Sequence, residues 1–249
     1  MKKLTLVLLI LAGLVLLRAT ADLPDWADPA SPASLNLSPA FIEQAYHDTH
    51  TPNIVTAVLA DYRGYDTMFE TVVVLAAGLI IMVILRRTPR KRQKVLPRRP
   101  QRQGRDIIIQ GAAHLIIPVM QIFALYVLAH GHYSPGGGFQ GGVIFGASFI
   151  LLALCHNLQF TMARFQEKTV LLCCAVGVLV YAGIGLLCLL LGLNLLDYAA
   201  LSPVLGVSPA MARSYGILGV EIGVGITVMA IMVSLYYDLA SGGDLDEGL

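Results

Sequence analysis

Five stretches of about 20 mostly apolar residues dominate this chain: 67–85, 107–129, 139–158, 169–191 and 214–237. An α-helix needs about that length to cross the hydrocarbon core of a bilayer. Inside lipid, backbone N–H and C=O groups must be satisfied within the element itself, so such runs fold as helices. A sixth run, residues 4–17, is shorter and follows Met1-Lys2-Lys3. It reads either as a further crossing or as a secretory signal, with Ala19-Thr20-Ala21 as its small-residue cleavage site. The expected fold is therefore all-α: a polytopic membrane protein of about six transmembrane helices. Composition agrees, because only 13% of residues are charged and mean hydropathy is +0.71. Soluble domains carry roughly a quarter charged residues, so a soluble enzyme is excluded.

The net charge of +1 conceals an asymmetry. Residues 86–105 hold ten of the 17 Lys and Arg and no acid. Between two apolar runs, such a block marks a cytoplasmic loop under the positive-inside rule and not a nucleic-acid surface. Lys2 and Lys3 place the N-terminus on the same side, as Arg164 and Lys168 do for the loop after residue 158. Six crossings satisfy all three assignments and leave both termini cytoplasmic, with the chain in the cell's inner (plasma) membrane. Residues 22–53, rich in Asp, Pro, Ala and Ser, are expected as an irregular external loop. Cys155, Cys173, Cys174 and Cys188 form no CxxC pair and no zinc-like spacing, so they read as buried free thiols.

Ionisable groups at membrane depth cost several kcal/mol and each needs a reason. Glu221 falls within the last run, flanked by Gly219, Gly223 and Gly225. It reads as a relay carboxylate for protons or cations, or as a carboxyl bonded to a neighbouring helix for assembly. Glu70 opens the 67–85 run after Asp66 and Thr67, the pattern of a helix cap with its acid. With Asp61 and Arg63 close by, it also fits an external ion entrance. His114, one or two turns before Pro118, is either a proton shuttle or a satisfied interior histidine. His130 and His132 flank Gly131, but two ligands without a third nearby make a poor metal site, so no metal is expected.

The densest signal is His130-Gly131-His132-Tyr133-Ser134-Pro135-Gly136-Gly137-Gly138-Phe139-Gln140-Gly141-Gly142. No Walker Lys or Ser/Thr follows and no strand precedes it, so it is not a phosphate cradle. It reads as a tight reversal between two helices, with glycine giving the backbone its freedom. Gly142 with Gly146, and Gly219 with Gly223, then form GxxxG faces on which helices approach closely. No redox centre or nucleotide motif is visible, and no cofactor is expected.

At this turn the chain resembles a known family. The run HGHYSPGGGFQGGVIFGASFILLAL and the last helix YGILGVEIGVGITVMAIMVSLYY are similar to MnhB, the second component of Mrp-type multisubunit Na+/H+ antiporters, and to its equivalent in membrane-bound hydrogenases. The stretch TPNIVTAVLADYRGYDTMFETVVVLAAGLI resembles the C-terminal end of the antiporter's large first component, which in hydrogenase-type complexes is a separate small protein. The resemblance implies a fusion: residues 1–90 as a two-helix first piece, 91–105 as a basic linker, 106–240 as a four-helix MnhB-like domain and 241–249 as an acidic tail. It further implies an accessory, non-catalytic component whose partners are other membrane subunits and whose transported ions are Na+ and H+. Asp61, Arg63, Asp66, Glu70, His130, His132 and Glu221 are the matching positions; His114 belongs to no motif that carries over. Two rival expectations stand beside this one: the same component in an ion-pumping hydrogenase or related oxidoreductase, and a structural spacer with no ion path of its own.

Overall fold

The computed structural model describes residues 2–87 and 107–242. The basic linker and the acidic tail expected from sequence fall almost wholly outside the described residues. All regular structure among the described residues is helical. The helices are α1 (Lys2–Thr20), α2 (Ser38–Thr49), α3 (Ile54–Ala57), α4 (Gly64–Arg87), α5 (Ile107–Ala129), α6 (Gly138–Cys155), α7 (Leu158–Arg164), α8 (Glu167–Leu190), α9 (Ser202–Leu205) and α10 (Pro209–Ser241). Five of these (α4, α5, α6, α8 and α10) are long and apolar enough to cross a membrane, and α1 is a shorter apolar helix. The four cysteines are free, as expected, but only Cys174 and Cys188 are buried; Cys155 and Cys173 are partly exposed.

The chain divides into two compact units at Gln44/Ala45. The first contains α1, whose side chains are almost all exposed along its length, and the start of α2. The region expected as an irregular loop is more ordered than its composition implied. It contains a π-helical turn at Ala33–Leu37 and the twelve residues of α2. The helical stretch opens at Pro32 behind Ser31, whose hydroxyl accepts from the Ser34 N–H at 3.3 Å, and proline at a helix start lacks only an N–H that would be unsatisfied there anyway.

The second unit is organised around α10. This helix has 33 residues, against 24 in the apolar run that marks it in the sequence. Its start is set by Ser208, whose hydroxyl accepts from the N–H of Met211, followed by Pro209; its end is Gly242 in the left-handed conformation, φ 71°. Two-thirds of its most apolar window is buried, against one-sixth for α4 and α5. Lipid offers no hydrophobic drive for helices to associate, so close packing must come from small residues. Gly142 and Gly146 of α6 lie against Gly225 and Met229 of α10, and Gly177 of α8 lies against Gly223 and Thr227. Both glycine faces noted in the sequence therefore pack within the chain. At Gly142 an added Cβ would stand 2.6 Å from the Gly225 carbonyl oxygen, and at Gly223 2.7 Å from that of Gly177.

α4 packs on a third side of α10, with Gly78 against Ile231 and the Ser234 hydroxyl directed at Met82 Sδ, 3.0 Å away. Beyond it, Arg86 donates to the wholly buried carboxylate of Asp238, Nε to Oδ1 at 2.8 Å, and pairs with Glu167 of α8 at 2.7 Å. α5 packs on α6, with Pro118 inside it. The opposite end of the bundle carries α3, the glycine-rich turn and the short helices around Tyr198.

Candidate functional site: an acidic cavity beneath the glycine turn

Glu221 stands roughly three turns into α10 and is 9% exposed. The glycine turn closes over it. A Cβ on Gly137 would lie 2.7 Å from Oε1, and one on Gly131 3.2 Å from Oε2. At Gly138 it would run into the Glu221 carbonyl oxygen. Gly137 also has φ 128°, a backbone state that residues with side chains rarely adopt. Glycine is required here for space and, at Gly137, for conformation. Oε2 has no hydrogen-bond partner among the described residues. Leaving a buried polar atom unpaired costs about 1–3 kcal/mol, and more if it is charged.

Beside Glu221 is a cavity of about 220 Å³, and Glu70 of α4 lines the same space. α4 begins at Gly64, so Glu70 sits in its second turn and not at its cap. The polar lining is completed by Thr56, Thr67, Thr71, Gln140 and Tyr181. Four of these groups have already committed their hydroxyl protons to backbone carbonyls. Thr56 donates to Gly131 at 2.8 Å, Thr67 to Leu59 at 2.7 Å, Thr71 to Thr67 at 2.8 Å and Tyr181 to Gly64 at 2.8 Å. A hydroxyl has one donor and two acceptor lone pairs, so these four have only lone pairs left to offer. Gln140 alone among the polar lining side chains adds N–H donors. The result is an acceptor-rich chamber with two carboxylates. It suits cations and proton-bearing species and disfavours anions.

The turn is tied down from the other side. The side-chain nitrogen of Asn53 donates to the carbonyls of Gly131 at 2.8 Å and Ser134 at 2.9 Å, and its backbone N–H donates to that of His132 at 2.8 Å. Its side-chain oxygen meanwhile caps α3, accepting from Val55 N–H at 3.1 Å.

A second ionic group lies where the π-helical turn Val58–Tyr62 meets the start of α10. Arg213 contacts both oxygens of Asp61 at 3.4 Å and Asp197 at 3.3 Å. Asp61 is nearly buried, and burial pushes its carboxyl up to about 6 despite the pull of Arg213. Tyr62 donates to Asp48 at 2.7 Å, a bond that holds Asp48 below the ordinary carboxylate range. Burial, reinforced by that bond, pushes the Tyr62 phenol up to about 12. Tyr198 secures the same turn by donating to the carbonyl of Ala60 at 3.0 Å.

The structure thus brings Glu70 and Glu221 to one cavity, with Asp61 in a neighbouring cluster. Arg63 and Asp66 pair locally on the surface, Nε to Oδ2 at 2.7 Å. His130 stacks on Tyr126, centroids 4.8 Å apart, and the Nε2 of His132, buried, lies 2.9 Å from the carbonyl of Ser214. His114 is elsewhere: toward the other end of α5, its ring edge-on to His156 at 4.8 Å. Among the described residues no three His, Cys, Asp or Glu gather as a metal site. Asn53, Thr56, Tyr181, Asp197 and Arg213 gave no signal in sequence. Their partners lie 16 to 152 positions away. The exception is the Asn53 cap, which an Asn before an apolar run does encode.

These features define a multi-pass membrane protein with a helix-enclosed acidic chamber under a glycine turn. Residues 108–234 match the family described as a domain related to the MnhB subunit of Na+/H+ antiporters, and the chain belongs to that family. Residues 6–103 match a second family, MbhE, a component of MBH. The protein named "Putative antiporter subunit mnhB2" of Staphylococcus aureus (strain Newman) is 31% identical over 130 residues, half of this chain and 92% of that protein. A probable K(+)/H(+) antiporter component of A/B type from Rhizobium meliloti (strain 1021) is 28% identical over 218 residues. That alignment covers 77% of this chain but only 21% of the relative. Among solved structures, the Mrp complex from Dietzia sp. DQ12-45-1b has a chain that aligns with TM-score 0.55 and 26% identity, covering 94% of this chain and 26% of that one. A chain of the membrane-bound sulfane sulfur reductase, an archaeal respiratory membrane complex, shares the fold at TM-score 0.60 and 22% identity, over 93% and 97%.

Proposed function

We propose that this chain is an accessory membrane subunit of a multisubunit cation/proton antiporter and that the chamber between Glu70 and Glu221 is part of its ion path. Two carboxylates on one acceptor-rich cavity, one of them buried with an unpartnered oxygen, carry this reading. A buried carboxylate facing a polar cavity within a membrane bundle is the usual mark of an ion or proton pathway. Family membership and the mnhB2 relative support the antiporter assignment. The two family matches, meeting near residues 103–108, support a fusion of two small subunits through the basic linker. In this reading the cation is sodium, the linker and both termini face the cytoplasm, and the glycine turn faces outward in the inner membrane. In the same reading the chain acts as a non-catalytic component without a cofactor of its own. Asp61 and Arg213 stand at the outer entrance, with His130, His132, Arg63 and Asp66 around the mouth.

The test is cation-dependent proton transport in vesicles containing the intact complex, with assembly checked by native gel on the same sample. Glu221→Gln and Glu70→Gln should each abolish most transport while the complex stays whole. Unchanged transport in Glu221→Gln would refute the ion path and leave a spacer role. The match of residues 6–103 to MbhE favours one second reading. The same chamber would then serve a complex in which electron transfer drives pumping, and transport would require an electron donor.

A further inference from the structure

The glycine turn over Glu221 is held partly from its own piece of the chain, Gly137 N–H to the Val127 carbonyl at 3.2 Å and His132 Nε2 against the Ser214 carbonyl at 2.9 Å, and partly from the other piece. Three carbonyls of the turn, those of Gly131, His132 and Ser134, accept hydrogen bonds from Asn53, and Gly131 accepts another from Thr56 Oγ1 at 2.8 Å. Within the turn, Gly131 and Gly137 are the residues whose backbone lies against Oε2 and Oε1. Glycines provide no packing bulk and the most backbone freedom to lose on ordering, so the position of this segment depends on its hydrogen bonds. Asn53 is itself fixed, because its remaining side-chain atom caps α3. One residue thus joins the helix that lines the cavity to the turn that covers Glu221.

We propose that Asn53, assisted by Thr56, is a positioning residue that seats the glycine turn on Glu221 and seals the chamber on that side, keeping proton exchange at Glu221 coupled to cation movement. This rests on the ion-path reading given above. Asn53→Asp is the informative variant. It keeps the size of the side chain and the oxygen that caps α3, but replaces the N–H donors to Gly131 and Ser134 with an acceptor facing two carbonyls. Thr56→Val likewise keeps volume and removes the donor to Gly131, whereas Thr56→Ser retains it.

The experiment uses vesicles containing the intact complex, loaded with a pH-sensitive dye, in the presence and absence of sodium. Losing about one or two kcal/mol of seating raises the unseated population roughly 5–30-fold, so Asn53→Asp should show a sodium-independent proton leak larger than wild type by about that factor. Thr56→Val should leak in the same direction, Thr56→Ser should match wild type, and the leak should vanish in Asn53→Asp/Glu221→Gln. A merely structural role would lower coupled transport or assembly without creating a leak. Wild-type tightness in both Asn53→Asp and Thr56→Val, or a leak that survives Glu221→Gln, would overturn the proposal. If Asn53→Asp does not assemble, Thr56→Val against Thr56→Ser decides. These outcomes are separate from the ion-path reading, which stands or falls on Glu221→Gln alone.

Discussion

Single side chains at this site are best understood by what burial does to them. Asp61 lies in the π-helical turn outside the crossing helices, and its carboxyl is pushed from 3.8 up to about 6. Burial is the main cause, opposed by Arg213 and reinforced by Asp197 and Asp48. Between pH 4 and 6 the folded state keeps a proton that the unfolded chain has lost. The stabilisation is therefore complete below about pH 4 and disappears as pH rises through 6, amounting to about 3 kcal/mol for a two-unit difference. Asp61→Asn keeps the shape and removes the titration. Its melting temperature relative to wild type should rise from pH 4 to pH 7 and then level off; a flat difference would mean that burying the charge costs nothing. At this scale the sequence showed that Glu70 and Glu221 needed explaining, because the bilayer makes any carboxylate expensive. It said nothing of Arg213, and of Asn53 no more than that an Asn before an apolar run can cap a helix; both are ordinary polar residues until a fold brings carbonyls and acids to them.

Among the elements, α10 depends most on residues without side chains. Gly138, Gly142 and Gly146 let α6 run alongside it in backbone contact, and Gly177 does the same for α8. Gly138→Ala would drive a methyl group into the carbonyl of Glu221, backbone against backbone with no side chain able to give way. Overpacking of this kind costs about 1–3 kcal/mol or more, so the variant should lose thermal stability in detergent and reduce the yield of assembled complex. Gly183→Ala is the control. Nothing lies within 4 Å of the added atom, and its stability should equal or slightly exceed that of wild type. A Gly138→Ala protein as stable as Gly183→Ala would show that α6 can shift away from α10. The GxxxG spacings were legible in sequence as packing faces. Which helices they would meet was not, because a glycine pair specifies close approach and carries no address.

Over the whole molecule, the two pieces of the chain are joined at both ends of the second unit. Asn53 and Thr56 hold the glycine turn at one end, and Arg86 holds Asp238 and Glu167 at the other. Asp238 is wholly buried, so removing its partner leaves an uncompensated charge, a loss that costs about 3–5 kcal/mol. Arg86→Met should lower the melting temperature of the purified chain strongly, and Arg86→Met/Asp238→Asn should recover most of it. No recovery in the double variant would locate the loss in Arg86's packing and not in the stranded carboxylate. Arg86 read in sequence as the first residue of a solvated basic block, and the structure gives it a fixed internal task.

By itself the sequence determined the solvent and the element type. Runs of about 20 apolar residues cannot be hydrated, and in lipid only helices satisfy their own backbones. It also marked the carboxylates at membrane depth and the glycine-rich reversal, since both are costly or unusual wherever they occur. The tertiary structure alone decided that Glu70 and Glu221 share one cavity, that the hydroxyls around them have no protons left to give, and that the turn is held in place by a residue 78 positions away. These are properties of distance between elements. Helical periodicity fixes which residues share a face, but which faces meet is settled only when the bundle closes.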